Sequence, residues 1–247
     1  MRVHFLGTNG WYDNPAGNTI CVLLECQGRL TVLDAGNGIH KLDRFLAPSK
    51  PVDLFLSHFH LDHIEGLHSI VRLNLARGLR IFGQEGAREA LKNILRQPYS
   101  VPLDDMPFPV SILELPADRA QAPYLRDVRP LVHAAPCIGF RFEIEGKAIA
   151  YCTDTGLCEN LIALGKSADL LITECSAASG QPRDSWPHLS PEDAITVARE
   201  TRAKRVALVH FNASIYPTRE SRREVQRRVS READSVFVAF DDMALEL

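Results

Sequence analysis

The sequence predicts an α/β (α+β) protein of four layers, two β-sheets packed face to face between two layers of helices, an αββα sandwich. Three observations carry that reading. Short strands rich in β-branched and apolar residues occur in both halves of the chain. Helical patterns interrupt them in both halves, so each sheet has helices available to cover its outer face. The 247 residues, 45% hydrophobic and 24% charged, are enough for one domain (1–247) with a sizeable core, and no repeat or linker divides them.

Val3 to Leu6 and Thr19 to Leu24 read as strands, and Thr31 to Leu33 follows a turn at Gln27-Gly28 to complete a hairpin. Val52 to Leu56 is a short apolar strand that runs directly into Ser57-His58-Phe59-His60-Leu61-Asp62-His63. Leu67, Ile70, Val71 and Leu75 lie near helical spacing and predict a helix over Ile64 to Arg77. A strand at Arg80-Ile81-Phe82 and a helix over Glu85 to Leu95 come next. Four prolines between Gln97 and Pro109 predict an irregular surface loop.

Strands are then expected at Val110 to Leu115, Val128 to Ala134 and Ile138 to Glu145, and the last turns at Gly146 into Ala148 to Thr153. Asp169 to Glu174 reads as a buried strand. A helix over Pro191 to Thr201 has Ser190 as its cap, proline at its first position and Asp193 three residues after the cap. Arg205 to Phe211 forms the next strand, and Arg219 to Arg231 the last helix.

Composition narrows the function classes. The 28 basic and 31 acidic residues give a net charge of −3, which argues against a protein that holds nucleic acid mainly through phosphates. The N-terminal apolar run is too short for a signal peptide, and no stretch approaches the ~18 apolar residues of a membrane span. The six scattered cysteines read as reduced thiols rather than a disulfide framework. A cytoplasmic location without membrane contact is the expectation, with a homodimer as the commonest assembly.

His-x-His-x-Asp-His is the strongest chemical signal. A divalent metal needs convergent, deprotonated ligands, and imidazole with carboxylate suits zinc-like ions. Residues two apart on extended backbone share a side, so His58 and His60 can hold one metal, while Asp62 and His63, past the turn, can reach a second. Six residues cannot complete two sites, and further ligands are expected at strand ends downstream. His133, Asp154 and His210 each stand there.

This ordered set, with Asp34 in Leu33-Asp34-Ala35-Gly36, resembles the metallo-β-lactamase superfamily over nearly the whole chain. The resemblance implies two divalent metals, zinc first, with manganese or iron also compatible. One would be held by His58, His60 and His133, the other by Asp62, His63 and His210, with Asp154 bridging. It also implies that Asp34 supports the histidine loop from behind. Asp154 and the missing signal peptide count against antibiotic hydrolysis, whereas glyoxalase-like thioesterases and lactonases share the ligands.

Thr173-Glu174-Cys175-Ser176 and His188-Leu189-Ser190-Pro191-Glu192-Asp193-Ala194 resemble the ribonuclease Z-like branch, as do Leu6-Gly7-Thr8 and Gly17-Asn18-Thr19. That resemblance implies that Glu174 and His188 act together, His188 protonating a leaving oxygen, with Asp62 also catalytic. Transfer-RNA-processing members carry a long arm between the ligands matching His133 and Asp154, and here a single hairpin fills that interval. The arm-less relatives include phosphodiesterases of small cyclic phosphates, some with a cysteine-rich extra metal site that this sequence lacks. A small phosphodiester is therefore the favoured substrate. An RNA endonuclease and a thioester or lactone hydrolase of glyoxalase II type are the alternatives.

Arg219, Arg222, Arg223, Arg227, Arg228 and Arg231 share the last helix with Glu220 and Glu224. A solvated, ion-paired face is the favoured reading, and a phosphate- or RNA-attracting face the alternative. His4, His40 and His68 follow no ligand spacing and read as structural. Asn212, Ser214 and Tyr216 are pocket candidates by position after His210.

Overall fold

The computed structural model describes residues 1–181 and 186–247. Its strands are β1 (Arg2–Gly7), β2 (Asn9–Gly10), β3 (Cys21–Glu25), β4 (Leu30–Leu33), β5 (Val52–Phe55), β6 (Leu79–Gln84), β7 (Val110–Leu115), β8 (Leu125–Pro130), β9 (Ile138–Ile144), β10 (Lys147–Cys152), β11 (Leu170–Glu174), β12 (Val206–Val209), β13 (Phe211–Asn212), β14 (Val236–Val238) and β15 (Met243–Glu246). The helices are α1 (Leu61–Ile64), α2 (Ala87–Ile94), α3 (Glu159–Gly165), α4 (Pro191–Thr201) and α5 (Arg219–Val229), with 3₁₀ segments at Asn37–Phe45 and Glu65–Arg72.

Two sheets form, ordered β15-β1-β3-β4-β5-β6-β7 and β14-β12-β11-β10-β9-β8, with β13-β2 as a small separate pair. Strand alternation explains the layering. On β3, Val22 and Leu24 face Phe140 and Phe142 of the second sheet, while Cys21 and Leu23 face a helical layer with Ile39, Leu67 and Leu91. On β10, Ile149 and Tyr151 fill the space between sheets, and Ala150 and Cys152 lie under α3 and α4 with Leu161, Leu164 and Val197. The outcome is the expected four-layer sandwich.

In the first sheet β4, β5, β6 and β7 run parallel, and in the second β10, β11, β12 and β14 do. The carboxyl ends of β4, β5, β10, β11 and β12 lead into Asp34, His58, Asp154, Glu174 and His210. Open parallel sheets bind ligands beyond such ends, because helices cover their faces.

Several elements differ from expectation. The helix expected over Ile64 to Arg77 is one α-turn followed by 3₁₀ backbone ending at Arg72. Gly66 N–H donates to the Ala35 carbonyl at 2.9 Å, a partner outside the helix, so the i→i−4 ladder is broken there. A Cβ on Gly66 would come within 2.2 Å of the Gly36 carbonyl oxygen, so that close approach requires glycine. The strand expected to end at Ala134 stops at Pro130, and Leu131 N–H donates to the Cys137 carbonyl, closing a loop that carries His133. The strand expected to reach Phe211 stops at Val209, because His210 turns the chain with φ 51° and Phe211 N–H donates to Thr8. Helix α3, the Asn37–Phe45 turn, β14 and β15 have no counterpart in the sequence reading, and β15 pairs with β1 from the opposite end of the chain.

Helix α4 begins as expected: Ser190 Oγ accepts from Asp193 N–H and the Asp193 carboxylate accepts from Ser190 N–H. Helix α5 ends at Val229 and carries ion pairs of Arg223 and Arg227 with Glu220, Arg227 with Glu224, and Arg228 with Glu192. Arg222 is the exception: fully buried with Val225 and Val229, it donates to Thr8 Oγ1 and Asn9 Oδ1. His4 bonds Glu25, His40 bonds the Asn37 carbonyl and His68 the Glu65 carbonyl, all local structural contacts. No helix among the described residues is long and apolar enough to cross a membrane.

Candidate metal centre

Three of the turning residues at the strand ends, Asp34, Asp154 and His210, have left-handed backbone with φ of 56°, 56° and 51°. That region is uncommon for residues other than glycine, and each turn directs a polar side chain inward from a strand that is otherwise apolar. His58 to His63 enter from the first sheet, His133 from the loop after β8, and Asp154 and His210 from the second sheet.

The donor atoms converge as two groups. His58, His60, His133 and Asp154 form one, and Asp62, His63 and His210 another. His133 Nε2 lies 3.3 Å from His60 Nδ1, while His63 Nε2 and His210 Nε2 are 3.0 Å apart. Asp154 divides between the groups: Oδ2 lies 3.7 Å from both His58 Nε2 and His133 Nε2, and Oδ1 lies 3.3 Å from His63 Nε2 and 3.1 Å from His210 Nε2. Metal–nitrogen bonds of about 2.0–2.1 Å at tetrahedral angles give donor separations of about 3.3–3.4 Å, so this set fits divalent ions. Among the described residues His58 Nε2 is buried without a hydrogen-bond partner, a costly state that a bound metal relieves.

The charges divide along the same line. Burial pushes His58 well below the ordinary histidine pKa, helped by His63, and takes His133 down to about 4, which leaves both ready to ligate as neutral imidazoles. For His63 burial opposes the charge, but Asp154, Asp34 and Asp62 outweigh it and raise its pKa. Burial also disfavours the Asp154 carboxylate, yet His210, His63 and His58 hold it far below the usual range.

Behind these donors stand the expected Asp34 and further orienting groups that the sequence does not single out. Asp34 accepts from His63 Nδ1 at 2.8 Å, Ser57 N–H at 2.7 Å, Ser57 Oγ at 2.8 Å and Tyr151 Oη at 2.7 Å. Ser176 Oγ lies 2.9 Å from His210 Nδ1 and donates to its carbonyl. Of these, Ser57 and Ser176 adjoin expected site residues, but Tyr151 gives no sequence signal. Replacing Asp34 by alanine is expected to weaken metal binding about 10–100-fold, read by competition with a chromophoric chelator on folded protein. Unchanged affinity would remove Asp34 from that role.

Gly10 packs directly on His210: a Cβ there would stand 2.5 Å from Cε1 and 2.7 Å from Nδ1. Gly10→Ala is expected to displace the imidazole and lower affinity for one ion about tenfold or more, measured by metal content after dialysis. Retention of wild-type content would show that the loop yields instead.

Beside the two groups, His188 Nδ1 lies 2.8 and 2.9 Å from the Glu174 oxygens. Glu174 also accepts from Thr155 N–H and Ser176 N–H, which fixes it in place. Burial works against a charged His188, but Glu174 pushes its pKa up to about 9. A His188 ring nitrogen lies within 4.8 Å of donor atoms of Asp154 and His210. His188, Asp154, Ser176 and His210 border a cleft of about 790 Å³. Of the three pocket candidates after His210, Asn212 lines it, whereas Ser214, bonded to Tyr12, and Tyr216, buried with its hydroxyl on the Ala177 carbonyl, do not.

A family model described as a beta-lactamase superfamily domain matches residues 29–211, which include every one of the donors above. Ribonuclease Z of Pyrococcus abyssi is 26% identical over 96% of this chain and 96% of its own length. Among solved structures, the metallo-β-lactamase fold protein YhfI of Bacillus subtilis superposes with a TM-score of 0.81 at 19% identity, covering 100% of this chain and 98% of that one. A diphosphatase of the PhnP family gives 0.74 at 16% identity, over 100% and 97%.

Proposed function

Since the chain belongs to the metallo-β-lactamase superfamily, in its ribonuclease Z-like branch, we propose that it is a metal-dependent phosphodiesterase acting on a small, possibly cyclic, phosphodiester. The observation that carries this reading is Asp154, whose two carboxylate oxygens face separate donor groups beside a carboxylate-held histidine.

His58, His60 and His133 would hold one ion and Asp62, His63 and His210 the other, with Asp154 shared. Two divalent ions, zinc in the first instance and manganese or iron as the other candidates, would supply hydroxide at neutral pH and neutralise the phosphoryl oxygens. Asp62 Oδ2 also accepts from Trp11 N–H at 2.7 Å, which holds this carboxylate at the floor of the cleft. Glu174 occupies His188 Nδ1, so the proton available for transfer sits on Nε2. From there His188 protonates the leaving oxygen, a contribution of about 10²–10⁴-fold.

Three features favour a small substrate over a transfer RNA. Only the β9–β10 hairpin lies between His133 and Asp154. The alignment with the archaeal ribonuclease Z runs over 299 positions against 247 residues here, so that relative carries insertions which this chain lacks. The ion-paired face of α5 offers few free cations to a polynucleotide backbone. The test is a substrate panel of bis(p-nitrophenyl) phosphate, a thioester, a lactone and a precursor transfer RNA, with metal-quantified protein. Turnover of the phosphodiester and not the others supports the proposal. Turnover of the thioester or lactone alone moves the function to the glyoxalase-like side.

A further inference from the structure

The chain has two tryptophans, and both stand on the wall of the metal cleft. Trp11 is 65% exposed and Trp186 59%, unusual values for a residue that is mostly buried on average. Trp186 lies 5.7 Å from the His60 ring and 6.0 Å from the His133 ring, centroid to centroid, so its indole flanks the first donor group. Trp11 flanks the second, since its backbone N–H holds Asp62. Its φ of 75° is an outlier for a bulky residue, and the strained turn carries the indole at the cleft rather than in the core.

The cleft is large for a bare cyclic phosphate. Its volume of about 790 Å³ is of the size that encloses drug-sized ligands. Leu61, 68% exposed, adds to its apolar rim. Among the described residues lining it there is no lysine or arginine. Glu65 lines it as well, with Oε1 accepting from Thr19 Oγ1, and supplies a carboxylate suited to hydroxyl or amino donors.

We propose that Trp11 and Trp186 form a stacking subsite, and that the substrate is a small phosphodiester with one planar aromatic group, of which a nucleobase is the fitting kind. This rests on the phosphodiesterase reading above. Every base has a π-face, and base–aromatic stacking is strong enough to change affinity by about tenfold or more per base.

The test compares two esters with the same reacting ring, adenosine 2′,3′-cyclic phosphate and glycerol 1,2-cyclic phosphate, on metal-loaded protein. The ratio of their kcat/KM values is the readout. The ratio should favour the adenosine ester about tenfold or more, fall about tenfold with Trp11→Ala or Trp186→Ala, and largely survive Trp→Phe at either position. A ratio unmoved by both alanine variants would overturn the subsite. Adenosine alone should also quench the intrinsic fluorescence saturably, because both indoles report from the cleft. Saturable quenching with neither ester hydrolysed would keep the subsite and overturn the phosphodiesterase reading. Absence of saturable quenching would overturn the subsite whatever the esters show.

Discussion

Asp154→Asn should leave a folded protein that retains at most one ion in place of two and hydrolyses phosphodiesters about 10³-fold more slowly. Asparagine is the right substitution because it tolerates the left-handed backbone at this position, φ 56°, and nearly preserves the side-chain shape. What it removes is the charge shared between the donor groups and one of the two oxygens that face them. Metal contributions of several kcal/mol to the transition state correspond to a loss of about 10³ at one decade per ~1.4 kcal/mol. Metal content by elemental analysis and rate on bis(p-nitrophenyl) phosphate are measured together. Two ions retained with near-normal turnover would show that Asp154 bridges nothing.

His188→Ala should cut turnover of alkyl phosphodiesters about 10²–10⁴-fold while p-nitrophenyl esters lose far less, because p-nitrophenolate leaves without a proton. Equal losses on both would remove His188 from acid catalysis and make it a binding residue. Glu174→Gln tests the same pair by pH. The active form of His188 is protonated, so the rate on alkyl esters falls as pH rises through its pKa, which Glu174 pushes up to about 9. Removing that carboxylate lowers the pKa, and the decline should begin at lower pH. A pH profile that keeps its alkaline limb in place would separate Glu174 from the proton transfer.

Much of this centre was legible because ligands that must meet in space were written close together or at strand ends. His58 to His63 lie within six residues, and Asp34, Asp154 and His210 each close an apolar strand. The pairing of His188 with Glu174 was legible only through resemblance, since they stand fourteen positions apart. What stayed hidden was tertiary. Tyr151 reaches Asp34 from the other sheet, and Ser176 reaches His210 across neighbouring strands. Arg222 looked like one arginine of a solvated face, yet it occupies the buried stripe with Val225 and Val229 and bonds the turn at Thr8-Asn9. The helix over Ile64 to Arg77 failed because apolar spacing cannot show that the Gly66 amide prefers the Ala35 carbonyl. Trp11 and Trp186 lie 175 positions apart, with nothing in the pattern of either segment to bring them to one cleft.

The most direct measurement is a metal titration of chelator-stripped protein, with bound ions counted at each step and phosphodiester turnover read on the same samples. The account predicts a plateau at two ions per chain, with activity rising chiefly as the second ion binds. Full activity with one ion, or a plateau at two ions with no phosphodiester turnover under any loading, would contradict it.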